Sequence, residues 1–365
     1  MKFTCVTEYL KKALANAERF AGKNITLPVL ANVLLEVEGD TVRITATNLE
    51  SAIKIVVHGS ASRIGKVCVP VRVLSSFVQS IGDEKIQIEE KQGGLVIKTD
   101  LRDTRIHGVP VEDFPLFPNI KKTHSLTLPS LALSEAITRV LPAVSISEFK
   151  PELNGIAIHV SSALIRFAAT DTFRLAEKTI LLDQQRNIEP FSFILPAKIA
   201  SELGRILGKD DVITISIGEN QILFESDDYV VISRLIEGNF PEYSAIIPKN
   251  FETSCFVSKS TLTDAVRASS IFTSKLREVT TVVKNKHIEV RSLNQDIGEY
   301  KNLIPCSSSG KDLVVGFNYH YFLDGLQATS EEDVFLGLNS EQSPSLIKNK
   351  SDGSFLYVLM PIRLS

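Results

Sequence analysis

The sequence predicts an α+β protein made of three tandem copies of one unit, each with antiparallel sheets and two helices. Three observations predict it. Matched motifs recur at a nearly constant spacing, short polar–apolar alternations separated by turns fill most of the chain, and each copy holds two segments of helical periodicity. Asn32 in LANVLLEV matches Asn154 in LNGIAIHV 122 residues later, and Thr47 in ATNLE matches Thr170 in ATDTF at a spacing of 123. Pro70 with Pro196, and Phe114-Pro115 with Phe240-Pro241, lie 126 apart. Asp83, Asp211 and Asp333 each precede a strand-like run. Ala13, Ala136 and Ala265 fall in corresponding helices, and Glu278 opens the third copy's counterpart of the first hairpin. The matches keep one order, and small loop insertions account for the drift. The copies divide near 1–122, 123–248 and 249–365.

The first copy opens on a strand over Lys2–Thr7 and a helix over Tyr9–Ala21. Leu10, Leu14, Ala17 and Ala21 fall at i, i+4, i+7 and i+11 on its inward face, and Lys12, Asn16, Arg19 and Lys23 share that spacing on a polar, basic face. A hairpin is expected from Val33 to Val57, where Val42, Ile44 and Ala46 alternate with Arg43 and Thr45. A second helix covers Val71–Ile81, with Val71, Leu74, Phe77 or Val78, and Ile81 inward and Arg72, Ser75, Ser76 and Gln79 outward. Alternations at Lys85–Glu89, Leu95–Lys98 and Asp103–Val109, with a turn at Gly93-Gly94, finish the unit. In the second copy Glu152–Glu177 reads as a hairpin turned at Ser161-Ser162. A helix near 197–209 buries Ile199, Leu203 and Ile206 and exposes Lys198, Glu202, Arg205 and Lys209. In the third copy Arg267, Ser270, Ser274 and Arg277 gather on a helix and its end.

Charge follows this division. Segments 8–23, 197–209 and 260–277 carry +2 each, 70–81 carries +1, 130–141 is neutral and 318–328 carries −1, which makes +6 for the helices. The chain as a whole is −3, so the remainder is −9. Solvated helix faces are often charged, but basic helices beside acidic sheets in a triplicated unit point to a shared positive surface. With pI ≈ 6.1 the chain is not a generally basic nucleic-acid binder. Cys5, Cys68, Cys255 and Cys306 are widely spaced, read as reduced core thiols and form no zinc pattern. The N-terminus lacks an apolar signal core and no run approaches ~20 apolar residues, so a cytoplasmic protein without membrane contact is expected.

No reaction chemistry stands out. Gly22-Lys23 lacks the rest of a phosphate loop. Asp171 with Arg174 reads as an ion pair or turn cap before a catalytic pair. Asp100, Asp103, Glu112 and Asp113 have no spacing that demands a metal. The residues favour a binding or structural protein without catalytic residues, metal or cofactor. Taken alone they leave open a metal-dependent nuclease or phosphatase using loop carboxylates, and a repeat scaffold that binds only protein.

The ordered motifs resemble a known family. MKFTC at the N-terminus, TLPVLANVLL over Thr26–Leu35, Thr47–Glu50, Asp113–Pro115, Leu153–Gly155, Ala169–Asp171 with Arg174-Leu175, Phe240-Pro241 and YVLMPIRL over Tyr357–Leu364 are similar, in order and across the whole chain, to the bacterial DNA polymerase III beta subunit, the replicative sliding clamp. The resemblance implies three DNA-clamp domains per chain and a head-to-tail homodimeric ring, helices inside and sheets outside. Double-stranded DNA passes through it without sequence readout. On the basic faces Lys12, Arg19, Lys23 and Arg72 of the first copy, and Arg139, Lys198, Arg205 and Arg267 of the others, are then the expected DNA contacts. Ring closure would join the strand holding Thr104 and Ile106 to the partner's third domain, near Ile271 and Phe272.

The resemblance also implies a pocket for a short hydrophobic peptide from the DNA polymerase III alpha subunit, the clamp loader, other polymerases, and mismatch-repair or ligation factors. Carried over by motif, its lining is Leu153, Thr170, Arg174 and Leu175, with Pro241, Ile246, Val358 and Met360. Asn318, Tyr321, Ser345, Pro361 and Arg363 are expected nearby. This chain departs from the family pattern at Thr172-Phe173, where Gly-His or Ser-His is common, at Ala245 for Arg, and at Ile362 for Met. Altered peptide preference is expected.

Overall fold

The computed structural model describes residues 1–22, 26–147, 149–182, 189–208 and 212–363. Lys23, Lys209 and Asp211 lie outside the described residues. The chain begins β1 (Lys2–Val6), α1 (Thr7–Phe20), β2 (Asn32–Glu38), β3 (Thr41–Thr47), β4 (Ser51–His58), β5 (Ser60–Arg63), β6 (Gly65–Pro70), α2 (Val71–Gln79), β7 (Lys85–Lys91), β8 (Gly94–Lys98) and β9 (Asp103–Ile106). It continues β10 (His124–Pro129), α3 (Ser130–Val140), β11 (Gly155–Val160), β12 (Leu164–Thr170), β13 (Arg174–Leu181), β14 (Phe191–Pro196), α4 (Ala197–Ile206), β15 (Val212–Ile217), β16 (Gln221–Glu225) and β17 (Tyr229–Arg234). The last stretch is β18 (Thr253–Ser258), α5 (Lys259–Ser270), β19 (Glu278–Lys284), β20 (His287–Asn294), β21 (Gly298–Pro305), β22 (Ser307–Gly310), β23 (Leu313–Asn318), α6 (Tyr319–Ala328), β24 (Asp333–Leu338), β25 (Ser345–Asn349) and β26 (Phe355–Leu359).

Three times, then, a strand leads into a helix, a strand meander, a second helix and a three-strand meander. The expected hairpins over Val33–Val57 and Glu152–Glu177 are each three strands. A second tight turn at 47–51 and at 170–174 adds β4 and β13. All strand pairs are antiparallel. Gln92 and Gly93, at φ 50° and 72°, make the β7–β8 turn near the expected Gly93-Gly94.

By chain contacts the described residues form two compact units, Met1–Leu131 with Ile206–Leu235, and Ala132–Arg205 with Ile236–Ser365. The first holds a five-stranded sheet, β5-β1-β7-β8-β9, and an eight-stranded one, β10-β15-β16-β17-β4-β3-β2-β6. The second holds a nine-stranded sheet, β14-β11-β12-β13-β26-β25-β24-β18-β22, and a four-stranded one, β21-β20-β19-β23. In each unit one large sheet runs from one copy into another, by β4 against β17 in the first and β13 against β26 in the second. This is why the contact units do not follow the repeats.

Helix faces follow residue spacing. In α1, Thr7, Leu10, Ala13, Leu14, Ala17 and Phe20 are buried against β3, β4 and α2. In α2, Ser75 is buried rather than outward. It sits at i+4 from Val71, with Leu74 at i+3 and Val78 at i+7, so it belongs to the inward stripe. Leu14→Ala should cost ~2–5 kcal/mol, read from chemical unfolding. The exit from α1 is tight: the Gly22 amide donates to Leu30 O at 2.8 Å, and a Cβ on Gly22 would stand 2.6 Å from Leu30 Cβ. Gly22→Ala should therefore destabilise the fold by ~1–3 kcal/mol, measured in the same way.

Candidate functional site

The site begins with a turn that the chain uses twice. Thr170 Oγ1 donates to Arg174 O at 2.6 Å and accepts from Thr172 N at 3.1 Å, while Asp171 Oδ1 accepts from the amides of Phe173 and Arg174, each at 3.0 Å. In the first copy Thr47 Oγ1 donates to Ser51 O at 2.9 Å and accepts from Leu49 N at 3.0 Å, and Asn48 Oδ1 accepts from Glu50 N and Ser51 N. Thr172 and Leu49 take the same left-handed conformation, φ 78° and 72°. A threonine hydroxyl and an Asx side chain close the turn in both copies by satisfying its amides.

Arg174 is where the copies differ. Its Nε donates to Asp171 Oδ2 at 2.9 Å and Nη1 pairs with Asp324. The guanidinium also lies 4.1 Å from the centre of the Tyr321 ring. Burial works against its charge, but Tyr357, Asp324 and Asp171 outweigh burial and hold the pKa above the ordinary arginine value. Asp171 and Arg174 thus form the expected ion pair and turn cap. Tyr357, buried and raised above the usual phenol range by burial, donates to Tyr321 O at 3.0 Å. With its charge already matched, Arg174 serves as a rigid wall.

Beside this turn lies a cavity of ≈ 510 Å³. Its floor is Leu175 and Val358, register partners across β13 and β26, packed with Leu346. Thr170, Arg174, Ile246 and Met360 are walls, joined by Thr172, Ala245, Pro248, Asn339 and Pro344. The Met360 amide donates to Phe173 O at 2.9 Å, fixing the lip, and the Phe173 ring is 60% exposed. The connector over residues 240–248 is fastened by Tyr243, whose hydroxyl donates to Glu177 Oε2 at 2.6 Å. Burial first, and Glu177 second, keep that phenol protonated. Such a slot, apolar with fixed polar rims, suits a few aliphatic or aromatic side chains.

Several expected residues do not line this cavity. Leu153 is buried in a turn over Pro151–Leu153 whose carbonyl accepts from Ser145 N. Pro241 borders a separate polar cavity with His159, Arg166 and Ser192. Asn318 caps α6 by accepting from His320 N at 3.0 Å. Tyr321 acts through Arg174. Ser345 is fully buried opposite Leu359 in the β25–β26 ladder. Pro361 and Arg363 follow β26, where Ile362 N donates to Gly316 O at 2.8 Å. Conversely, sequence reasoning missed Pro248, Asn339 and Pro344. Pro248 neighbours Ile246 in the connector and could have been found by adjacency. Asn339 and Pro344 sit in the β24–β25 loop, placed only by the β25–β26 register.

On the helices Lys12, Arg19, Arg72, Lys198, Arg205 and Arg267 are exposed. Arg205 keeps a loose 3.9 Å pair with Glu202. Arg139 departs from the expectation. It pairs with Glu135 on the next turn, lies over the Phe355 ring at 5.8 Å, and is mostly buried, so it packs rather than presenting charge. Thr104 lies on β9, an open sheet edge, but Ile106 turns inward and is buried. Ile271, after α5, is 67% exposed, and Phe272 stacks on Tyr300 of β21, also a sheet edge, at 6.1 Å between ring centres. No described helix is long and apolar enough to cross a membrane, and no group of three or more His, Cys, Asp or Glu among the described residues could hold a metal ion.

Family models match in order: DNA polymerase III beta subunit N-terminal domain over residues 1–118, central domain over 127–242 and C-terminal domain over 244–363. The chain belongs to the DNA polymerase III beta subunit family. Relatives named beta sliding clamp include those of Escherichia coli K12 (28% identical over 371 residues) and Synechocystis (28% over 389), each matched over 100% of both chains. A Pseudomonas aeruginosa sliding clamp bound to griselimycin has a similar structure, with TM-score 0.94, 27% identity and full coverage of both chains. A Thermotoga maritima DNA polymerase III beta subunit gives 0.91 and 27%, also over both full chains. The fold is thus three beta-clamp domains, the number that the repeat predicted and the kind that the resemblance implied.

Proposed function

We propose that this chain is a DNA sliding clamp. Two copies close head to tail around duplex DNA, and the cavity over Leu175 and Val358 holds short hydrophobic peptides of the replicative polymerase, the clamp loader and repair factors. It works as a processivity subunit, without catalytic residues of its own. The domains are taken as 1–122, 123–248 and 249–365; the family models span 1–118, 127–242 and 244–363.

One observation carries the ring. The strand that follows the repeated turn, β4 or β13, pairs with the last strand of a copy, β17 or β26: Ser51 opposite Ser233 in one junction, Arg174 opposite Leu359 in the other. The equivalent strand of the third copy, β21, and the last strand of the first, β9, are sheet edges. An open edge is a template for pairing. A second chain related by a two-fold axis supplies both missing partners. By analogy with the two formed junctions, Ile106 then faces the partner subunit's Gly298 and Thr104 faces the partner subunit's Tyr300. Phe272, stacked on Tyr300, would stiffen that edge.

The basic helices supply a sequence-independent attraction to phosphates, and ring closure supplies retention. Lys12, Arg19, Arg72, Lys198, Arg205 and Arg267 are the proposed contacts; Arg139 is left out because it is buried. Reversing charge at Lys12, Arg72 and Lys198 together should weaken duplex attraction at low salt and flatten its salt dependence by ~0.9 in log–log slope per lost contact. Fluorescence anisotropy with labelled duplex tests this. Unchanged affinity and slope would remove these helices from the DNA surface.

A further inference from the structure

The third copy contains two thiols whose sequence positions gave no reason to pair them. Cys255, in β18, is buried, and its thiol lies 3.8 Å from Leu336 O. Cys306 is half-buried in the single-residue link between β21 and β22, with its amide donating to Lys286 O at 2.9 Å. In the β18–β22 ladder Ser308 is opposite Cys255. Cys306, two residues before Ser308, therefore comes to the same face, diagonal to Cys255. The neighbouring Cys255 thiol, with help from Ser308, holds Cys306 below the ordinary thiol value against the opposing effect of burial. The Cys306 thiol and burial together raise Cys255. One thiol is thus on a half-buried residue and tuned toward thiolate, and the other is sheltered beside it. Cys306 lies outside both flanking strands.

Cys5 and Cys68 provide the contrast. Both are buried, neither has a thiol partner, and burial pushes each up to about 12, aided at Cys68 by Asp113.

We propose that Cys306 and Cys255 are a peroxide-reactive dithiol, with Cys306 the attacking sulfur and Cys255 the resolving one. The Cys306 thiolate attacks one oxygen of hydrogen peroxide. An S–O bond forms and the O–O bond breaks. The departing hydroxide takes a proton and leaves as water, and Cys306 becomes a sulfenic acid, oxidised by two electrons while the peroxide is reduced. The Cys255 sulfur then attacks the Cys306 sulfur. The S–S bond forms, the S–O bond breaks, and the hydroxyl leaves with the Cys255 proton as a second water. The disulfide ties the end of β21 and the start of β22 to β18.

The test uses the full chain, treated with a small excess of hydrogen peroxide, unfolded, and exposed to a thiol-blocking reagent. The expected result is an intact mass lower by two hydrogens, two blockable thiols in place of four, and a linked peptide joining Cys255 to Cys306. Cys306→Ser should keep all its remaining thiols. Cys255→Ser should stop at a sulfenic acid on Cys306 that dimedone traps. Because Cys255 is buried, its variant is checked for folding by circular dichroism, and Cys306→Ser, at a half-buried position, carries the test if it fails. Four blockable thiols after treatment of the unmodified chain, or equal oxidation in Cys306→Ser, would overturn the proposal.

Discussion

Replacing Leu175 and Met360 together by alanine should lower the affinity for a short hydrophobic partner peptide at least tenfold, about 1.4 kcal/mol or more. The reason lies in how the cavity is built. Val358 and Leu175 form its floor, and Met360 is a half-buried wall whose flexible thioether can adapt to different aromatic or aliphatic guests. Removing both deepens the slot and strips the contacts that would bury a peptide side chain. Leu175 is also packed with Leu346 and Val358, so its truncation alone costs ~2–5 kcal/mol of fold stability. Met360→Ala avoids most of that cost and should weaken binding by a smaller factor. Calorimetric titration with a peptide of two adjacent hydrophobic residues, run beside a thermal melt, separates the effects. Unchanged affinity in a folded double variant would place the peptide site elsewhere. The exposed Phe173 ring beside the lip should shift preference toward peptides with an aromatic residue, because edge and stacked ring contacts are favourable.

Ile271→Glu should convert the proposed dimer, twice the 40.2 kDa chain mass, into a monomer at micromolar concentration. Ile271 is exposed at the end of α5, beside Phe272, whose ring stacks on Tyr300 of the open edge β21. In the proposed ring this edge meets β9 of the partner, and Ile271 is buried with it. A carboxylate there would have to be desolvated on ring closure, at a cost of several kcal/mol. Because Ile271 is solvent-exposed in the single chain, the substitution leaves the fold intact. Light scattering or solution X-ray scattering reads the mass. A dimer of unchanged strength would remove Ile271 from the interface, and a monomeric unmodified chain would count against the closed ring itself. Retention on circular but not linearised duplex is the functional counterpart.

Much of this protein was legible in the chain. The spacing of Asn32 with Asn154 and of Thr47 with Thr170 reports a threefold unit, and the Thr170–Arg174 and Thr47–Ser51 turns show the same hydrogen bonds in two copies. Helix faces were legible because i, i+3 and i+4 neighbours are fixed by the helix itself. Ser75 and Arg139 mark the limit. Ser75 falls on an apolar stripe despite its polarity, and Arg139 is drawn inward by Glu135 and the Phe355 ring.

Sequence by itself determined the repeat, the places of the helices and most of the basic helix faces, while the second tight turns at 47–51 and 170–174 were not read from it. The repeat, the helices and their faces depend on residues close together in the chain or on patterns recurring along it. Tertiary structure alone decided that β13 pairs with β26 and β4 with β17, that Asn339 and Pro344 close a cavity begun by Thr170, and that Cys306 meets Cys255. Strand pairing between distant segments is set by which edges and side-chain volumes fit in three dimensions, and period-two alternation identifies a strand's buried face without naming its neighbour.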